Sequence, residues 1–162
     1  MSLFLSLALA WAEPEMIPEE DLDLKGRAAP AISLPTLSGE QFTLEEHRGK
    51  TVVLAFWASW CGPCRYELPA LSILSEQRKD IQFVAVNVDK KSGPAKKFLR
   101  SIDDMKLPVV LDSQSMILGE YSVISMPTLF LIDKEGTVQF IKVGYSKEKG
   151  LIELEAEIEK LK

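Results

Sequence analysis

The chain has 162 residues, 46% of them hydrophobic and 27% charged, which is ordinary for one globular domain with a short tail. Its formal net charge of −5 disfavours nucleic acid as a partner, because nucleic-acid binding needs a basic face that displaces counterions. Two cysteines and one histidine are too few for a closed four-ligand zinc site. A catalytic zinc held by both cysteines, the histidine and water is compatible with these counts.

The N-terminus contains an uncharged apolar run, LFLSLALAWA, at residues 3–12. The run is too short for a membrane span of about 20 residues but matches the apolar part of a secretory signal. Ala10-Trp11-Ala12 has the small-x-small pattern of a cleavage site, although no basic leader precedes the run. We therefore predict a signal-peptide or membrane-anchor remnant at residues 1–12; the alternative is a segment packed on the domain. Export would place the protein in the periplasm or elsewhere outside the cytosol, where disulfides persist.

An acidic, proline-containing stretch at residues 13–29 is typical of a linker. The folded domain is therefore expected to span residues 30–162. Two short apolar stretches on either side of Ser38-Gly39 predict a β-hairpin at its start.

The rest of the domain alternates between strand and helix patterns. Residues 51–58 and 81–88 are rich in β-branched and aromatic residues without alternation, as in strands buried on both faces. The other predicted strands are 108–111, 128–133 and 138–143, and the predicted helices are 63–79, 94–102, 113–121 and 146–161.

This order of elements predicts an α/β fold with a mixed central sheet. Strands that alternate with helices imply a parallel core, and the closing hairpin adds antiparallel strands. Helices should cover both faces of the sheet, with the N-terminal hairpin and a central βα insertion as additions.

Both cysteines lie in the stretch FWASWCGPCRYELP, residues 56–69. Cys61 comes where a buried strand ends and a helix begins, and Pro63 suits the first helical turn, where its missing N–H costs nothing. Cys61 is thus expected near the unpaired N–H groups and positive dipole end of the helix, which favour thiolate, the nucleophilic form. Cys64 lies one turn further and can reach the sulfur of Cys61. Strand, Cys-x-x-Cys and helix together predict thiol–disulfide exchange, with Cys61 as the nucleophile and Cys64 as the resolving thiol.

The stretch FWASWCGPC resembles the active-site strand and turn of the thioredoxin fold, and further matches cover most of residues 30–162. Pro69 matches the proline that kinks the active-site helix. SMPT at 125–128 matches the cis-proline loop, which implies that Pro127 is cis and that Met126 presents its backbone to substrate. Residues 30–71 resemble the exported TlpA/ResA-like branch, which is related to the AhpC/TSA proteins.

The resemblance implies a thiol–disulfide oxidoreductase that reduces disulfides of exported proteins. Apocytochrome c, with its own Cys-x-x-Cys-His haem site, is the first-choice target, and a membrane thiol reductase would return the electrons. No cofactor is expected, since the cysteine pair itself carries two electrons, and we expect a monomer.

Several residues around the motif are candidates for substrate binding. Trp60 is expected to shield the disulfide and offer contact surface, and Gly62 and Pro63 form the turn between the cysteines. Gly144 and Tyr145 match the glycine-bearing loop that the family places beside the active site.

Glu67 is a candidate catalytic residue because it interrupts an apolar helix stripe. Thioredoxins carry a buried aspartate six residues before the first cysteine, where this chain has Ala55. At about 100° per residue from Cys64, Glu67 falls between Leu71 and Leu74. The ResA-like branch has a glutamate at this place, which the resemblance implies tunes cysteine protonation. The alternative is a carboxylate that bends to solvent and has no role.

Two other functions are compatible with the fold. Thiol peroxidases of the peroxiredoxin type carry Thr or Ser three residues before the reactive cysteine and Pro seven before it, where this chain has Ala58 and Leu54. Copper-delivery modules pair Cys-x-x-x-Cys with a distant histidine, whereas this chain has Cys-x-x-Cys and His47 upstream of it.

Overall fold

A computed structural model of the chain describes residues 24–103 and 105–162. The predicted signal or anchor remnant at 1–12 and residues 13–23 of the predicted linker lie outside the described residues. In the described ranges, no helix has the length and apolar character needed to cross a membrane.

The elements follow the predicted order, and the fold is the predicted mixed α/β arrangement. A 3-10 helix, Leu44–His47, precedes the first core strand. The strands are β1 Ser33–Pro35, β2 Gln41–Thr43, β3 Thr51–Trp57, β4 Ile81–Asn87, β5 Val109–Leu111, β6 Thr128–Ile132 and β7 Val138–Val143. The α-helices are α1 Cys64–Gln77, α2 Ser92–Leu99, α3 Met116–Glu120 and α4 Ile152–Glu159.

Helices α3 and α4 begin later than predicted, and backbone geometry explains both cases. The N–H of Gly150 donates to the carbonyl of Ser146, but Gly150 has a positive φ of 53°, which no α-helix interior adopts. Ser115 likewise has φ 56°, and the Asp112 carboxylate accepts the N–H groups of Met116 and Leu118. Each helix therefore starts only after a left-handed residue.

The central sheet has the strand order β5-β4-β3-β6-β7, and the hairpin β1-β2 lies outside it. Strands β3, β4 and β5 run parallel, while β6 and β7 are antiparallel to their neighbours. Trp57 pairs with Asn87, and Phe56 pairs with Thr128. The ends of β3 and β4 and the start of β6 therefore meet at one edge of the sheet, which is the edge where the cysteine turn begins.

Two apolar layers cover the sheet, because every residue of β3 is buried and successive side chains point to opposite faces. Val53, Ala55 and Trp57 pack under α1, α2 and α4. Leu54 and Phe56 pack under α3 and the N-terminal hairpin. The predicted placement of helices on both faces is confirmed.

The packed part of the chain begins before the predicted domain boundary at residue 30. Leu24 and Ala29 are buried in the core. The N–H of Gly26 donates to the carbonyl of Val138 at 2.7 Å, and the N–H of Ala29 donates to that of Gly136 at 2.9 Å. Residues 24–29 thus belong to the domain rather than to the linker, because their backbone groups are paired along the β6-β7 turn.

Candidate active site

The two cysteines form a disulfide at the start of α1, with their Cα atoms 5.4 Å apart. Pro63, which the motif predicts in the first helical turn, has helical backbone angles and immediately precedes the first residue of α1. The backbone N–H of Cys64 donates to Sγ of Cys61 at 3.2 Å. Cys61 retains 4% of its surface exposed and Cys64 none. The first amide of the helix therefore points at the sulfur that is closer to solvent.

This geometry makes the two sulfurs chemically unequal. In the reduced protein, a thiolate at Cys61 would lie at the positive end of the α1 dipole and accept a backbone hydrogen bond. A thiolate at Cys64 would be fully desolvated inside the core cluster that also contains Leu68 and Leu71. The arrangement therefore favours negative charge on Cys61.

The loop before β6 completes the edge of the site. The Met126–Pro127 peptide bond is cis, which confirms the prediction for Pro127. Thr128 donates its hydroxyl to the carbonyl of Ser125 at 2.7 Å and so closes the loop. Met126 packs against the cluster that contains both cysteines. Among the described residues, the N–H and C=O of Met126 have no hydrogen-bond partner, and both groups are available to a ligand.

The end of β7 lies against this loop. The N–H of Gly144 donates to the carbonyl of Pro127 at 2.7 Å. Gly144 has φ 81°, a left-handed conformation that glycine adopts without a steric penalty. Tyr145 is half-buried, and burial followed by the charge of Glu67 raises the pKa of its phenol. The predicted pair Gly144 and Tyr145 is thus brought to the cysteine edge.

Glu67 is buried, as its place in the apolar stripe predicts. It is 1% exposed, and its Oε2 atom has no hydrogen-bond partner among the described residues. Burial raises the pKa of its carboxyl from 4.5 to about 8, partly offset by the positive charge of Lys142. The alternative of a solvent-directed carboxylate is wrong for this structure. At neutral pH Glu67 therefore holds a proton one helical turn from Cys64.

Lys142 lies on the same side of the sheet as Glu67. Ala55, Leu129 and Lys142 form one row across β3, β6 and β7, so their side chains share the face that α1 covers. The side chain of Lys142 is 12% exposed, and its Nζ lies 3.4 Å from Glu153 Oε2. Lys142 therefore supplies a largely buried positive charge near the candidate carboxyl.

Replacement of this lysine by an uncharged side chain is expected to raise the pKa of Glu67 further. Lys142→Met removes the attraction that stabilises the ionised carboxylate. NMR titration of carboxyl carbons in the oxidised protein measures the change directly. Lys149→Met is the matched control, because Lys149 also pairs with Glu153 but does not act on Glu67. A titration of Glu67 that is the same in Lys142→Met and wild type would contradict the assignment.

A polar network holds the loop before Cys61, and the sequence analysis did not single out its members. The Asp89 carboxylate accepts the backbone N–H of Ser59 at 3.0 Å and the Ser59 hydroxyl at 2.8 Å. Asn87 donates its side-chain N–H to the same carboxylate at 2.8 Å. These residues fix the path of the chain into Trp60 and Cys61. The sequence could have indicated them, because Asn87 and Asp89 are polar residues at the carboxyl end of a buried parallel strand, where α/β sheets place ligand-binding and active sites.

The rim of the site is open to solvent. Trp60 is 71% exposed, and Gly62 and Pro63 are exposed. The Trp60 ring thus lies on the surface beside the disulfide rather than in the core.

The histidine is not part of this site. His47 ends the 3-10 helix and stacks on Phe42, with ring centroids 5.0 Å apart. It lies near Thr51, where β3 begins, whereas Cys61 follows Trp57 at the opposite end of that strand. Seven residues of strand separate the two ends by about 20 Å. Among residues 24–103 and 105–162, no cluster of three or more metal-ligating side chains occurs.

A comparison with models of protein families assigns the chain to one family. The model of the AhpC/TSA family matches residues 25–141, which is most of the chain. The chain belongs to the AhpC/TSA family. Its first matched residue also agrees with the packing of residues 24–29 on the domain.

Named relatives within this family are thiol–disulfide oxidoreductases and thioredoxin-like proteins. The chain is 39% identical over 128 residues to thioredoxin-like protein YneN of Bacillus subtilis, covering 77% of this chain and 75% of that protein. It is 37% identical over 134 residues to thiol-disulfide oxidoreductase ResA of Bacillus thuringiensis, covering 81% and 76%.

A solved structure gives the same result. A Chlorobium tepidum protein assigned as thiol:disulfide interchange protein DsbE superposes with a TM-score of 0.79 at 38% identity, covering 85% of this chain and 96% of that one. The thioredoxin-like fold and the resemblance to ResA-like proteins are confirmed. With its Cys61–Cys64 pair, the protein is a thiol–disulfide oxidoreductase.

Proposed function

We propose that the protein reduces disulfides of exported proteins outside the cytosol, with Cys61 as the attacking sulfur and Cys64 as the resolving one. The observation that carries this order is the hydrogen bond from the N–H of Cys64 to Sγ of Cys61 at the start of α1. It stabilises negative charge on Cys61, while the fully buried Cys64 is held within reach.

The proposed reaction has two exchange steps. The Cys61 thiolate attacks one sulfur of the substrate disulfide, which forms a mixed disulfide and releases the other substrate sulfur as a thiolate. The Cys64 thiolate then attacks Sγ of Cys61, which restores the enzyme disulfide and releases the second substrate sulfur. Two electrons and two protons pass from the enzyme dithiol to the substrate. A membrane dithiol reductase is the proposed donor that returns them, and no further cofactor takes part.

Glu67 is proposed to exchange a proton with Cys64 in the second step. Cys64 must lose its proton to attack, and a fully buried thiol has no access to water. Glu67 is one turn away on the same helix. It is mostly protonated at neutral pH, and with a pKa of about 8 its ionised fraction is the form that takes the Cys64 proton.

Met126 and Pro127 are proposed to hold the substrate as an extended strand. The unpaired N–H and C=O of Met126 are available to a peptide backbone, which is the way a strand adds to a sheet edge. Trp60, Gly62 and Pro63 line the exposed rim, and Gly144 and Tyr145 border the loop on its β7 side.

Apocytochrome c is the proposed target, on the strength of the similarity to ResA and DsbE proteins. The test is to mix the reduced protein, freed of reductant, with an oxidised peptide that carries a Cys-x-x-Cys-His segment. Acid quenching, alkylation and mass spectrometry should show two new peptide thiols for every protein disulfide formed. Cys61→Ser is the blank. Transfer to an unrelated disulfide peptide at the same rate would contradict the target, and transfer to no disulfide would contradict the reaction.

A further inference from the structure

A strongly basic surface lies beside the cysteine turn, although the whole chain has a net charge of −5. Residues 90–101 carry five basic side chains and no acidic one, and all five are exposed. Arg65, the residue after Cys64, is exposed and adds a sixth. We call these six side chains the basic face: Arg65, Lys90, Lys91, Lys96, Lys97 and Arg100.

Ion pairs between described residues leave the charges of the basic face uncompensated. Among the described residues, none of the six forms a salt bridge. Lysines elsewhere differ, since Lys79 pairs with Glu76 and Lys160 with Glu157. Like charges that lie close together on a surface repel each other, and no described carboxylate forms an ion pair with any of the six to relieve that repulsion.

Helix stability accounts for only part of the basic face. Lys96 and Lys97 are in the last turn of α2, where cations complement the helix dipole. Lys90 and Lys91 directly precede the first residue of this helix, Ser92, where the same dipole disfavours positive charge. Their presence therefore points to an anionic ligand rather than to helix stabilisation.

A cleft at the edge of the basic face adds specific donors. It encloses about 340 Å³ and is lined by Ser59, Arg65, Pro94, Lys97, Phe98 and Ser101. The Arg65 guanidinium stacks over the Phe98 ring at 4.9 Å and donates through Nη1 to the Ser101 hydroxyl at 2.8 Å. These two contacts fix the planar guanidinium. Its Nε and Nη2 donors have no partner among the described residues, so both are available to a carboxylate.

We propose that the basic face docks an acidic segment of the protein substrate next to its disulfide. The proposal rests on the proposed function and adds a charge preference to it. Attraction to the basic face would raise the encounter rate with the substrate. It would also orient the substrate, since the rest of the chain is acidic and repels an acidic segment. Ser59 and Arg65 flank the cysteine motif on either side, so a segment seated in the cleft lies beside the reacting sulfurs. An anionic membrane that covered the same face would cover the redox turn as well, which favours a protein occupant.

The test compares disulfide peptides that differ only in the flanking residues, which are Glu, Lys or Ser. Each rate of reduction by the reduced protein is divided by the rate with dithiothreitol, a dithiol that carries no charge apart from its attacking thiolate, to remove the intrinsic reactivity of the peptide. At about 0.01 M salt, the Glu-flanked peptide is expected to react at least about ten-fold faster than the Lys-flanked one. At about 1 M salt, where screening acts within about 3 Å, the difference should largely disappear.

A charge-reversed variant and a matched control locate the effect. Lys96→Glu/Lys97→Glu/Arg100→Glu should remove or invert the preference for the Glu-flanked peptide. Reversal of Lys79, Lys160 and Lys162 changes the net charge equally. Lys79 lies beyond the far end of α1, and the Arg78–Glu159 ion pair brings the end of α4 to the same place. This control should keep the preference of the wild type.

Equal normalised rates for the three peptides would overturn the proposal, and so would the same change in both variants. If phosphatidylglycerol vesicles sediment the wild type but not the Lys96→Glu/Lys97→Glu/Arg100→Glu variant, and the peptides are not discriminated, the basic face binds a membrane instead. Bis(2-hydroxyethyl) disulfide, a small neutral substrate, separates this test from the proposed function. If the wild type reduces this compound but does not distinguish the peptides, the docking proposal fails while the proposed thiol–disulfide exchange stands.

Discussion

A Cys64→Ser variant is expected to accumulate a covalent complex with its substrate, whereas Cys61→Ser should capture none. The first attack needs only Cys61, whose sulfur accepts the Cys64 N–H and is the less buried of the two. The second attack needs the Cys64 thiolate, and serine at neutral pH does not replace it. Turnover in both variants should fall to the level of uncatalysed exchange, but only Cys64→Ser stops after the mixed disulfide has formed.

The measurement is a gel of acid-quenched samples with and without reductant. A band that contains the protein and its substrate should appear in Cys64→Ser and disappear on reduction. The double variant Cys61→Ser/Cys64→Ser is the blank for non-covalent association. Capture by Cys61→Ser instead would reverse the assignment of the two sulfurs, and capture by neither variant would contradict disulfide exchange.

The strand, turn and helix that carry the cysteines could be predicted because their signals are local. The apolar run that becomes β3 is buried at every position, and α1 begins at Cys64, one residue after the predicted start at Pro63. Glu67 could also be found from sequence, because its helical position among leucines places it on the stripe of α1 that faces the core; its burial was then confirmed by the structure.

Other features depend on contacts that are distant in sequence. Lys142 occupies a position in β7 that by alternation could face either solvent or α1, and only pairing with β6 decides between them. The hydrogen bond that the Ser59 hydroxyl donates to Asp89 spans 30 residues and arises because β3 and β4 end at the same edge of the sheet. The start of α4 depends on the left-handed backbone of Gly150, which the amphipathic pattern does not record.

Glu67→Gln is expected to remove a large pH-dependent loss of stability in the oxidised protein. The folded protein keeps the Glu67 proton up to a pKa of about 8, whereas the unfolded chain releases it near 4.5. Between these values the folded state binds more protons, so wild-type stability falls as pH rises, by up to about 1.4 kcal/mol per pH unit. Over the whole pH window from about 4.5 to about 8, the loss of stability attributable to Glu67 reaches up to about 5 kcal/mol. This loss of stability is absent below the pH window and complete above it.

The measurement is the free energy of unfolding in denaturant at a series of pH values and constant ionic strength. The difference between Glu67→Gln and wild type should grow in favour of the variant from about pH 4.5 to about pH 8 and then stay constant. Glu76→Gln is the control, because Glu76 lies on the same helix and is exposed, with a pKa lowered by Lys79. Its difference from wild type should be complete by about pH 5. Parallel curves for Glu67→Gln and wild type would show that the buried carboxyl does not titrate in this window.

The same variant tests whether Glu67 acts on Cys64 in the reduced protein. An ionised carboxylate one turn away disfavours a second negative charge, so its removal should let Cys64 become a thiolate more readily. Alkylation of Cys64 in a Cys61→Ser background should therefore begin at lower pH when Glu67→Gln is added, and Glu76→Gln should leave that profile in place. A stability curve that changes as expected, together with an unchanged alkylation profile, would confine Glu67 to the packing of the core and remove it from the exchange reaction.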